Sequence, residues 1–86
     1  MTIYVCEKYD VNKDAEYYIG EEDFSVNDLI IDTKKVKKKG LIKGRGIMTI
    51  LADCGYEVIP YSIKPMFNFY NGDEEYMFYK LEVVGI

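Results

Sequence analysis

The sequence predicts an α+β fold: one small domain in which an antiparallel sheet of four to five strands is packed by one or two helices. A small all-β barrel is the alternative. Three observations lead there. Thr2–Tyr9 is rich in β-branched and aromatic residues, and the stretch from Met66 onward alternates like a hairpin. Between them, Val26, Leu29, Ile30, Thr33 and Val36 follow the three-four spacing of one helical face. With 86 residues the chain has room for a single domain, residues 1–86, and its 49% hydrophobic content is too high for a disordered segment.

Taken in order, the first strand is carried by Ile3, Tyr4, Val5 and Tyr9. Asp10–Asp14 (DVNKD) is turn-like, and Ala15–Gly20 (AEYYIG) returns as a second strand. After the acidic Glu21-Glu22-Asp23, Ser25 stands as an N-cap, with Asp28 three residues on in a capping-box-like position. Asp28 and Asp32 near the start and lysines near the end suit a helix dipole, and Gly40 supplies a left-handed residue to stop the helix. A helix over about 26–38 follows. Ile31 falls off its stripe, so a strand over Leu29–Asp32 competes. Leu41–Gly46 (LIKGRG) is a glycine-punctuated basic loop. Ile47–Cys54, followed by Gly55, reads as a short helix over 47–54 that leads into a buried strand, YEVIPYSI. The last third is clearest: MFNFY, a turn at NGDEE, then YMFYKLEVV. There Met77, Tyr79, Leu81 and Val83 share one face, predicted to be the core side, and Tyr76, Phe78, Lys80 and Glu82 share the other.

Several function classes fall away on residue types alone. The chain has no histidine, which removes Ser-His-Asp and Cys-His nucleophilic sites and the usual catalytic zinc sites. Two cysteines, Cys6 and Cys54, cannot build a disulfide framework, and they are expected to be reduced rather than bridged. No stretch approaches the roughly 18–20 apolar residues of a membrane span. The N-terminus, MTIYVCEKYD, lacks a basic segment followed by an apolar core, so neither a secretory signal nor a membrane partner is expected. The expectation is a cytoplasmic, non-enzymatic protein with no catalytic residues, no metal and no cofactor.

Charge is segregated along the chain. The formal balance is −4, yet Lys34, Lys35, Lys37, Lys38, Lys39, Lys43 and Arg45 place seven of the 11 basic residues in one short run. No acid occurs from Thr33 to Ala52, so the remainder carries 4 basic against 15 acidic residues, or −11. Such a block needs solvent, intramolecular acids or an anionic partner. Lys37, Lys38, Lys39, Lys43, Gly44, Arg45 and Gly46 are therefore the candidate contact for an anion or a partner. Glycines there free backbone amides, and Lys43 and Arg45 add full charges. KGRGIM is similar to the pyrophosphate loop of the acetyl-CoA-binding N-acetyltransferases, in which a Gly-x-Gly stands at the start of a helix. The likeness covers six residues. It departs from that pattern at Leu41, where an Arg or Gln would stand, and the chain lacks room for the usual catalytic domain. A plain turn accounts for the same letters, and no family is implied.

Two further sets of residues stand out. Asp10, Asn12, Asp14 and Glu21 fall at positions 1, 3, 5 and 12 of a calcium-loop template, but Ala15 stands where that loop needs glycine. An acidic hairpin turn explains them. Nine tyrosines and four phenylalanines are a heavy aromatic load, and Tyr76 and Phe78 on the outer hairpin face are the candidate interface anchors. Together these features point to a small binding protein that contacts a larger protein partner. Lys-, Tyr- and Ile-rich chains of this size look like phage-encoded inhibitors of host enzymes or defence systems, a likeness of type that no motif carries. The alternative is nucleic-acid or phosphate-ligand binding through segment 34–46, and self-association as a homo-oligomer is a further arrangement.

Overall fold

The structure is a computed structural model, and it describes residues 1–26, 30–44, 46–59 and 63–85. Its elements in chain order are β1 (Thr2–Asp10), β2 (Ala15–Gly20), β3 (Ser25–Val26), β4 (Ile30–Ile31), β5 (Lys38–Ile42), α1 (Ile47–Asp53), β6 (Tyr56–Val58), β7 (Phe67–Asn71) and β8 (Glu74–Gly85). Six strands form one antiparallel sheet in the order β5-β2-β1-β8-β6, with β7 also on β8. The long β8 serves two partners on its outer side: β7 along Glu74–Phe78, then β6 along Val83–Gly85. Its inner side runs the full length of β1, from Thr2 opposite Glu82 to Asp10 opposite Glu74. β3 and β4 form a separate ribbon.

Strand alternation sorts the side chains into two cores. On one face, Ile3, Val5, Ala15, Tyr17, Ile19, Tyr79, Leu81 and Val83 pack with Val58 of β6 and with Ile50 and Leu51 of α1. The other face holds Cys6, Tyr18 and Phe78 beneath Phe24, with Ile31, Val36, Phe67 and Phe69 at the margin. The two hairpins and the short helix stand where the sequence places them. Gly72 (φ +64) opens the two-residue turn between β7 and β8, a position that glycine tolerates without strain. Gly55 (φ +84) ends α1, its amide donating to the Ala52 carbonyl at 3.0 Å.

Among the described residues of the stretch 26–38, none lies in the expected helix. Ser25, its intended cap, instead binds back to Asp23: the Asp23 carboxylate accepts from the Ser25 hydroxyl at 2.6 Å and from the Ser25 amide at 3.0 Å. Those bonds hold the Asp23 carboxyl below its ordinary range. Phe24 is buried against Phe78, Val26 is exposed, and Asp32 closes a turn over Thr33–Lys35. The second sheet face needs an apolar cover, and Phe24, Ile31 and Val36 supply it. Tertiary burial thus overrides the helical spacing. Asn27, Asp28 and Leu29, part of that expected helix and of the competing strand, lie outside the described residues. The strand expected at YEVIPYSI is described only as Tyr56–Val58, because Pro60, Tyr61 and Ser62 also lie outside them.

Gly40 is also reassigned. It lies within β5, and a Cβ there would meet Ile50 Cδ1 of α1 at 2.3 Å. The glycine lets the helix sit close on the strand. Gly40→Ala is expected to lower stability by about 1–3 kcal/mol through overpacking. Ile50→Val removes the offending Cδ1, so the double variant in a urea-melt cycle should lose less than the sum of the two single changes.

Candidate functional site

The basic segment forms an edge strand and the turn after it, and alternation distributes its charges. Lys38 lies on the helix-bearing side, where its ammonium donates to the Cys54 carbonyl at 3.4 Å, at the electronegative end of α1. Lys39 lies on the other side with Nζ 4.9 Å from the centre of the Tyr18 ring. Lys37 pairs with Glu21 at 3.2 Å, an exposed contact that contributes little. Lys43 and Gly44 (φ +72) follow the strand, and with Tyr9, Asn12, Lys13 and Asp14 they line a shallow cleft of about 370 Å³. Arg45 lies outside the described residues. Gly46 caps α1, and its amide donates to the Tyr17 hydroxyl at 2.7 Å. The Gly46 amide is therefore already engaged, and Lys38 and Lys39 point to opposite sides of the sheet. Asp10 and Asn12 close an ordinary hairpin turn, with the Asn12 amide donating to Asp10 Oδ1 at 2.8 Å. The length of β2 separates that turn from Glu21, so the calcium-loop positions do not converge either.

The aromatic flank is more closed than the sequence suggests. Phe78, read as an exposed anchor, is 3% exposed. β7 lays Phe67 onto it at 4.7 Å between ring centres, and Phe24 covers it from the ribbon side at 6.2 Å. Tyr76 remains half-buried, stacked on Phe69 at 4.7 Å, with Lys8 Nζ 5.8 Å from its ring centre. The Lys8 ammonium is held well above its ordinary value, chiefly by its bond to Glu74 at 3.0 Å.

One site was not singled out from the sequence. Glu7 in β1 is 3% exposed on the helix-bearing face, and its Oε2 accepts from the Tyr17 hydroxyl at 2.5 Å. Tyr17 itself accepts from the Gly46 amide, so β1, β2 and the start of α1 meet at one phenol. A carboxyl group buried this deeply has to be hydrogen-bonded, and the Tyr17 hydroxyl is one of its partners. The signal was available: Glu7 lies two residues after Val5 and four after Ile3, a carboxylate in the core-facing register. Among the described residues, no group of three or more His, Cys, Asp or Glu is disposed to hold a metal.

Burial raises the Tyr17 phenol, with the Glu7 hydrogen bond adding to the effect, so Tyr17 stays a proton donor in neutral solution. Burial likewise pushes the Cys6 thiol up from 9.0 to about 12 and the Tyr18 phenol from 10.0 to about 12. Cys6 and Cys54 are both free, and they belong to opposite faces of the sheet.

Tyr17→Phe is expected to cost about 1–3 kcal/mol in a urea melt, because it strips a partner from both Glu7 and the Gly46 amide. A second expectation concerns alkali. Acids whose folded pKa is raised contribute stability that is complete below their ordinary values and is lost as pH climbs through the folded ones. The urea midpoint should therefore hold steady up to about pH 9 and fall between about pH 9 and 12. In Cys6→Ala the first part of that fall should be shallower.

No protein-family model, no curated protein and no solved structure matches this chain.

Proposed function

We propose that the chain is a non-enzymatic binding protein that engages a protein partner through the β5 edge. One observation carries this reading: the basic segment is the outermost strand of the sheet, with no strand on its outer side among the described residues. Lys38 and Lys39 are exposed along it, and Leu41 is 65% exposed. An unpaired edge offers a row of backbone donors and acceptors to an incoming extended segment. The lysines select the sign of that segment. Pairing with a second copy of β5 would set like charges opposite one another, so homo-oligomerisation through this edge is disfavoured. An acidic extended segment fits, with backbone bonds supplying affinity and charge supplying encounter and orientation. Occupying such a segment would block whatever else the partner binds there, which is how a small inhibitor acts. The phage-type role remains a likeness of kind.

The test is an NMR titration of the whole chain with an extended peptide of alternating Glu and Val. A peptide with Gln in place of Glu and a single-stranded oligonucleotide run in parallel. The Glu peptide should shift β5 amides selectively, and Lys38→Glu with Lys39→Glu should weaken it roughly tenfold or more. Equal binding of the Gln peptide would overturn the charge argument. Tighter, steeply salt-dependent binding of the oligonucleotide would reassign the segment to nucleic acid.

A further inference from the structure

On the side of the sheet opposite β5, β7 is an edge as well: among the described residues it pairs with β8 alone. Its sequence, Phe67–Asn71 (FNFYN), carries neither charge nor proline, the features that ordinarily keep edge strands from pairing. The register decides which backbone groups it leaves open. The Glu82 and Phe78 carbonyls of β8 accept from the Ile59 and Met66 amides, at 2.9 and 2.7 Å, so the even-numbered residues of β8 bond away from β1. Opposite the even-numbered Phe78, Tyr76 and Glu74 stand Phe67, Phe69 and Asn71 of β7. Alternation then turns the amides and carbonyls of Asn68 and Tyr70 outward. Both residues are exposed, Tyr70 at 69%.

We infer that this edge pairs with β7 of a second copy of the chain, antiparallel and in register about Phe69. A two-fold pairing must set outward-turned residues opposite one another. Centring it on Phe69 does so along the whole strand, with Asn68 opposite Tyr70 of the other copy and Phe67 opposite Asn71. Centring it on Asn68 or Tyr70 would pair three residues of β7 instead of five. The two Phe69 residues then form a close, non-hydrogen-bonded pair, with Cα atoms about 4.5 Å apart. Each already stacks on its own Tyr76 at 4.7 Å between ring centres, so the pair joins two aromatic rows into one. The same register brings opposite charges together. Lys64 lies five residues before Phe69 and Asp73 four after it, and both are exposed. Each copy's ammonium therefore comes alongside the other's acidic turn, twice per dimer. The lysine-bearing β5 edge stays open for a different partner, so either reading can fail without the other.

The experiment is sedimentation equilibrium of the intact chain, from about 5 µM to about 1 mM, with an amide NMR dilution series alongside. A monomer–dimer equilibrium is expected with a Kd of about 10–100 µM, because strands this short give a small interface. Dilution should move the Asn68 and Tyr70 amides most. Asn68→Lys with Tyr70→Lys sets like charges opposite one another and should weaken the dimer roughly tenfold or more, as should Asn68→Glu with Tyr70→Glu. An equimolar mixture of the two folded variants should associate more tightly than either alone, a result that misfolding cannot produce. Should either variant fail to fold, the wild-type dilution shifts decide. A monomer throughout the concentration range, shifts confined to residues outside β7, or a mixture of folded variants no tighter than its components would each overturn the inference.

Discussion

A sheet with apolar side chains on both faces has to be covered twice, and this constraint organises the molecule. β1 sets Ile3 and Val5 on one side and Cys6 on the other, while β8 sets Leu81 and Val83 against Phe78 in the same way. One seven-residue helix covers the larger core, and Phe24, Ile31 and Val36 cover the smaller. A few large side chains suffice to close that face: Phe24 and Phe78 are almost fully buried against each other. Close packing of this kind leaves little tolerance for added volume, as the spacing between Gly40 and Ile50 shows.

The same alternation positions the polar chemistry. Glu7 enters the larger core because its place in β1 allows no other direction, and Tyr17 lies on the adjacent β2 to meet it. The Gly46 amide completes the chain of bonds, tying the start of α1 to the sheet through a phenol rather than a side-chain cap. Lys38 and Lys39 are parted to opposite faces for the same reason, one at the end of α1 and one over Tyr18. What reads along the chain as one basic block becomes a charged edge in space.

Much of this was legible in the sequence where local chemistry and tertiary need agree. The turn at Gly72, the stop at Gly55 and the alternation of β8 each have a local cause, and all three stand as read. The segment after Ser25 was illegible because its helical spacing, cap and charge order were satisfied on paper. Its fate was decided by a face that the sequence does not display until β1, β2 and β8 are assembled. Phe78 was misjudged by the same omission: its exposure depended on β7 and Phe24, which arrive from either side. Glu7 was readable by parity alone, as a carboxylate among core-facing neighbours. Lys37, Lys38 and Lys39 stand out in the sequence by charge, but an edge strand that begins at Lys38 replaces the expected helix end there.

The pairing of β1 with β8 joins residues 80 positions apart, Thr2 with Glu82, and every other strand of the main sheet hangs from that pair directly or through β2. Loop closure over such a span is entropically slow, and contacts this distant in sequence mark slow-folding topologies. During synthesis, no earlier portion can complete the sheet until β8 has been made. The nascent chain must hold the apolar half of β1 in waiting, which makes timing on the ribosome, rather than local propensity, the step most exposed to aggregation.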